Sequence, residues 1–116
     1  MKKVNFILIL FFFLSCSQNK TPNGILPPQK MQDVLWDYIR ADAFTSDFIS
    51  KDSTKNLQVE NVRLQKNLFS MHHISKEEFY NSYDYYLKHN IEMKMLLDSM
   101  IARKTREKLK FMKHLK

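Results

Sequence analysis

Ile74-Ser75-Lys76-Glu77-Glu78-Phe79 carries the clearest local signal in the chain. Ser75 can accept from the backbone N–H three residues on, and Glu78 can reach back to it, the reciprocal pattern of a capping box. Ile74 and Phe79 flank the box at the spacing of a hydrophobic staple. The pattern predicts a helix that starts here and runs to about His89, carrying Phe79, Tyr80, Tyr83, Tyr86 and Leu87. Asn90 reads as its stop and as the N-cap of the next helix.

That next helix begins near Ile91, where Ile91, Met93, Leu96, Leu97, Met100 and Ile101 supply an apolar face. Leu109, Met112 and Leu115 keep three-residue steps, so the helix can continue through residues 103–116. Upstream, residues 57–72 predict a helix with Leu57, Val62, Leu64, Leu68, Phe69 and Met71 on its apolar side. Asp52-Ser53-Thr54 before it reads as a loop or cap. Pro27-Pro28 predicts a further helix start, because proline lacks only an N–H that a first turn does not use. Met31, Val34, Leu35, Tyr38 and Ile39 follow at three- and four-residue steps to about Ser46, with Phe44, Phe48 and Ile49 extending the stripe.

A single glycine in 116 residues argues against a turn-rich β fold, which would need positive φ repeatedly. The expected fold is all-α, a small bundle of three to four helices with its core drawn from the first, third and fourth.

The amino terminus has a different grammar. Lys2 and Lys3 precede nine unbroken apolar residues, 6–14, and Ser15 stands before Cys16, the only cysteine. A basic start, a short apolar core and a small residue at the cut make an export signal. Nine residues fall well short of the ~20 that a spanning helix needs. The expected division is a lipoprotein signal peptide at 1–15 cut between Ser15 and Cys16, a lipidated Cys16 with a flexible polar spacer at 16–26, a helical domain at 27–102 and a basic helical tail at 103–116. An ordinary secretory signal with a cysteine beside the cut is the alternative. A lone thiol in an exported chain forms no internal disulfide, which favours modification.

Pro27-Pro28, Met31, Val34-Leu35-Trp36-Asp37, the segment 74–79, Ser82 and Tyr85-Tyr86 together resemble the small Bacteroidetes lipoprotein family catalogued as domain of unknown function 4296. The resemblance covers roughly residues 25–101. It implies a lipid-anchored helical domain, and it brings no catalytic residues or activity. The family often has glycine where this chain has His73, and proline near Asn90.

Asp37, at the edge of the first apolar stripe, is the most suggestive polar residue. A carboxylate there needs a partner; a Tyr83 or Tyr86 hydroxyl, a helix N-terminus or Arg40 at i+3 would serve. His72 and His73 are adjacent, so their side chains diverge on a helix and do not make a metal pair; they are expected to face solvent. Tyr80 and Tyr85 lie off the aromatic face of their helix and are candidates for a binding surface. The formal charge of +7 is uneven: residues 103–116 carry +6, Lys2 and Lys3 belong to the signal, and the rest of the mature chain is nearly neutral at −1. Arg103, Lys104, Arg106, Lys108, Lys110 and Lys113, among the seven cations of that tail, are candidates for a binding surface. Export argues against nucleic acid as their partner.

The expected function is a lipid-anchored envelope module, tied to the membrane through Cys16 and binding an envelope protein, with no catalytic site, cofactor or metal. The alternative is a binder of anionic membrane surface or glycan acting through the tail. The expected location is the cell membrane or outer membrane. Ser17-Gln18-Asn19-Lys20 lacks an acidic cluster, which favours the periplasmic face.

Overall fold

A computed structural model describes residues 21–116. The order is α1 (Pro28–Asp47), a single 3₁₀ turn (Ile49–Lys51), α2 (Leu57–Met71), α3 (Lys76–Lys88) and α4 (Asn90–His114), with no strand among the described residues. The all-α reading holds. No described helix is long and apolar enough to cross a membrane.

Each helix starts for a local reason. Pro28 occupies the first turn of α1, and the Pro27 carbonyl accepts the first bond from the Met31 N–H at 2.9 Å. Asn56 caps α2, its side-chain oxygen accepting from the N–H groups of Gln58 and Val59 at 3.1 and 3.2 Å. Asp52 is not that cap. Its carboxylate instead closes a small turn by accepting from the Thr54 N–H at 3.0 Å.

The join between α2 and α3 is the expected Ser75 cap, with its Oγ accepting from the Glu78 N–H at 3.0 Å. The chain arrives there through a left-handed residue. His73 has φ 55; its N–H donates to the Ser70 carbonyl, and the Ile74 N–H donates to that of Phe69. This is a Schellman helix end. Its left-handed position usually belongs to glycine, because a Cβ crowds the carbonyl there. Ile74 thus closes α2 and staples α3 at once, packing against the core beside Phe69 and Phe79.

Between α3 and α4 the break is one residue, His89, and not Asn90, which is already the first residue of α4. The His89 ring stacks on Tyr85 with centroids 4.0 Å apart, and its Nδ1–H donates to the Tyr85 carbonyl.

All four helices feed the core, so the expectation that α2 stands outside it is corrected. Met31, Val34 and Leu35 come from α1, Leu68 and Phe69 from α2, Phe79 and Tyr86 from α3, Leu96 and Met100 from α4. Phe79 is the hub, stacking on Tyr38 at 4.9 Å and lying 5.2 Å from Phe69. Burial is narrower than the apolar pattern implied: Phe44, Phe48, Leu57, Val62 and Met71 are exposed.

The spacer boundary at residue 26 is also corrected. Residues 22–25 form a turn in which the Ile25 N–H donates to the Pro22 carbonyl, with the only glycine, Gly24, at φ 82. Leu26 is then buried, 4% exposed. An extended residue has no helix to satisfy its peptide groups, so side chains of α3 do it. Ser82 Oγ accepts the Leu26 N–H at 2.8 Å, and the Tyr86 hydroxyl donates to the Leu26 carbonyl at 2.9 Å. Ser82 and Tyr86 stand four residues apart on one face, as the clamp requires. Residues 16–20 lie outside the described residues.

Two outcomes follow from this geometry. Replacing His73 with Gly relieves the left-handed strain, and the urea midpoint should rise by the equivalent of about 0.5–1 kcal/mol at an unchanged slope. An unchanged or lower midpoint would contradict the Schellman assignment.

The second concerns alkaline pH. Burial, with Glu92 nearby, pushes the Tyr86 hydroxyl up to about 12, and the hydrogen bond with Tyr80, with burial, raises Tyr38 to about 12. An unfolded tyrosine ionises near 10. The folded state therefore keeps protons that the unfolded state has lost, so this stability is complete below pH ~10 and disappears as pH climbs towards 12. Urea midpoints should fall across that window, and Tyr86→Phe should flatten the fall while costing about 1 kcal/mol at neutral pH for the orphaned carbonyl. Identical alkaline slopes in the two proteins would refute the clamp.

Candidate interaction surfaces

Asp37 has a partner that the sequence reading did not consider. Its Oδ2 lies 2.8 Å from His72 Nε2, and Arg40 approaches Oδ1 only to 3.9 Å from a largely exposed position. The Tyr86 hydroxyl is committed to Leu26, so it is not available to Asp37. His72 is the C-cap of α2. The pair fastens the end of α2 to the middle of α1. Of the two histidines, His73 faces solvent as expected and His72 is half-buried. Among the described residues no three His, Cys, Asp or Glu side chains gather as a metal site would need.

Beside this pair opens a shallow groove of about 480 Å³, lined by Asp37, Arg40, Ala41, Phe44, Asp47, Phe48 and Leu64 among others. Phe44 and Phe48 stack with centroids 5.3 Å apart while remaining 46% and 65% exposed. The sequence reading assigned both rings to the apolar stripe of the first helix. Both rings stand roughly 100° or more around α1 from Met31, off the face on which Thr45 is buried and Ala41 packs against the core. The groove thus has an apolar floor and a charged rim, a composition suited to holding an apolar side chain of a partner.

Tyr80 and Tyr85 are separated by the fold. Tyr80 is at the margin of the core, its hydroxyl 3.3 Å from that of Tyr38, with Lys76 over its ring at 5.9 Å. Tyr85 lies on another side, edge-on to Tyr86, where it lines a groove of about 390 Å³ with Thr21, Pro28, Gln32, Met95 and Ser99 among others. Burial and the Glu92 carboxylate hold the Tyr85 hydroxyl above its usual range. The two do not form one aromatic patch.

The basic tail begins later than the expected boundary at residue 103. Arg103 Nη2 donates to Asp33 Oδ1 of α1 at 2.6 Å, and its Nε is buried with no hydrogen-bond partner among the described residues. Lys104 lies over the Trp36 ring at 5.8 Å and pairs with Glu107 at 3.2 Å. Both cations belong to the α1–α4 junction, because long side chains on the last packed turn of α4 still reach α1. Beyond them Arg106, Lys108, Lys110 and Lys113 are exposed and make no ion pair among the described residues. Met100 is the last buried residue of α4.

Ser15 and Cys16 lie outside the described residues. Two structural residues escaped the sequence reading. His72 could be placed only once the meeting of α1 and α2 was known, whereas Ser82 carried a signal, a small hydroxyl four residues before Tyr86 on the face of Phe79.

A family profile described as a domain of unknown function (DUF4296) matches residues 22–110. No curated protein and no solved structure matches the chain. The matched span starts at the turn that leads into Leu26 and takes in all of α1, α2 and α3 with most of α4. It covers the packed bundle and extends into the exposed part of α4, and the chain belongs to the DUF4296 family.

Proposed function

We propose that this is a lipid-anchored, exported helical module of the cell envelope, without catalytic activity, that binds or assembles with a protein partner. Cys16 carries the acyl chains. The domain stands on the periplasmic face of the cell membrane or outer membrane. Support for the anchor is the basic, apolar and small-residue order of residues 1–15 before a lone cysteine. Two or three acyl chains hold a protein firmly at ~0.8 kcal/mol per buried CH₂, where a single chain does not.

The observation that carries the binding reading is the exposed Phe44–Phe48 stack above its groove. Exposed apolar patches rimmed by polar groups mark interaction sites. The same rings make no contribution to the core, so leaving them in water has no structural return. A non-catalytic role rests on the company that Asp37 keeps. Its carboxylate is engaged by His72 in a fastening between helices.

Two measurements test the two halves. Intact mass of the protein extracted from membranes should give a chain starting at Cys16 with added diacylglycerol or three acyl chains, and Cys16→Ala should abolish the addition. A bare chain cut near Ser15 would refute the anchor. For binding, a photoreactive residue in place of Ala43 should cross-link one envelope protein in cells. Phe48→Lys should reduce the adduct at least tenfold, while removal of residues 105–116 should leave it intact. An adduct indifferent to Phe48→Lys would reject this groove as the site.

A further inference from the structure

Beyond the partner groove, we propose that the second half of α4 is a contact surface for an anionic phospholipid bilayer. After Met100 the helix leaves the core, yet it continues to His114. Leu109, Met112 and Leu115 step every three residues along one side, and they are 56%, 50% and 70% exposed. Arg106, Lys110 and Lys113 occupy the adjacent side. Lys108 falls within the apolar arc, where its stem can lie among acyl chains with the ammonium at the headgroups. A helix with bulky apolar side chains on one side and cations flanking them is suited to the plane of a membrane interface.

The charge chooses the occupant. Residues 103–116 carry +6, and the remainder of the chain after Cys16 carries −1. A second copy would bring an equally basic tail on a body that is nearly neutral overall. An anionic leaflet offers about 1 kcal/mol of attraction per cation near its surface. The position of the chain start favours the same surface. Thr21 lines the groove that holds Met95 and Ser99 of α4, and the five residues from Cys16 to Thr21 span at most about 18 Å. From Ser99 to Leu109 is about 15 Å of helix. On the anchor reading, the acyl chains and the tail therefore reach one bilayer plane together, and the tether raises the effective concentration of the tail at that plane.

The test uses the full chain carrying Met112→Trp, reconstituted into vesicles, with the unsubstituted chain as the reference for Trp36. Brominated acyl chains should quench the new tryptophan in vesicles containing phosphatidylglycerol, and not in phosphatidylcholine alone. High salt should remove the quenching. Adding Arg106→Gln, Lys110→Gln and Lys113→Gln should weaken partitioning of the tail on the order of a hundredfold. Absence of quenching, or equal quenching in both vesicles, would overturn the proposal. So would an emission shift that depends on protein concentration without vesicles, which would assign the surface to a second copy. Intact mass of the same samples reports on Cys16 separately. Charge-dependent quenching in a chain without acyl groups sinks the anchor and upholds the tail contact, and an acylated chain with an unquenched tail does the reverse.

Discussion

The four-residue elbow His72-His73-Ile74-Ser75 is the constraint on which the bundle rests. Its left-handed residue at His73 reverses the chain, and Ile74 is shared by the end of one helix and the start of the next. Because both helices are fixed to one side chain, Phe69 and Phe79 are brought to 5.2 Å, and Tyr38 of α1 completes the stack. Aromatic pairs at such separations add roughly 0.5–1.5 kcal/mol beyond the area they bury. A small domain has little core to spare, so fixing Phe79 early in α3 does more for it than any surface ion pair would. The His72–Asp37 bond adds a polar fastening at the same corner.

The second organising contact is the clamp on Leu26, and it links fold to function. Ser82 and Tyr86 hold both peptide groups of a residue that has no secondary structure of its own. If Cys16 is tethered, any pull on the domain enters through Leu26. The load then falls on buried hydrogen bonds from α3 and not on the first turn of α1. A buried Ser in an apolar face has no value as packing. Its Oγ is useful because it both accepts from Leu26 and donates to the Glu78 carbonyl.

Fold class and helix limits were legible because they rest on local rules. The Ser75 cap, the Pro28 start and the three- and four-residue apolar steps each act within one or two turns, and each appears where the pattern put it. What the sequence concealed was which part of each apolar stripe meets another helix. Phe44 and Phe48 follow the apolar residues of α1 in sequence but lie off the face that Met31 and Thr45 share, so the bundle leaves both rings exposed. For the same reason Asp37 could be flagged and its partner could not: His72 is remote in sequence and adjacent only through the crossing of α1 and α2. His73 stands where the family often has glycine, and the hydrogen bonds of the Schellman closure outweigh the cost of a Cβ in the left-handed region.

The end of α4 poses a last physical question, since helices of this length are marginal in water without packing. The described tail is helical as far as His114 although, among the described residues, nothing covers it after Lys104. Two things sustain it within the chain. The packed half of α4 has already met the cost of nucleation, so each further turn needs only propagation, and Lys113 and His114 stand where they complement the negative end of the dipole. Those terms do not explain why three large apolar side chains recur on one side of it, because propagation is indifferent to which good helix former occupies an exposed position. A sequence under no constraint but helicity and solubility would fill those positions with polar residues. On the bilayer reading, the regular Leu109, Met112 and Leu115 row is a property of the surface the helix meets, not of the helix itself.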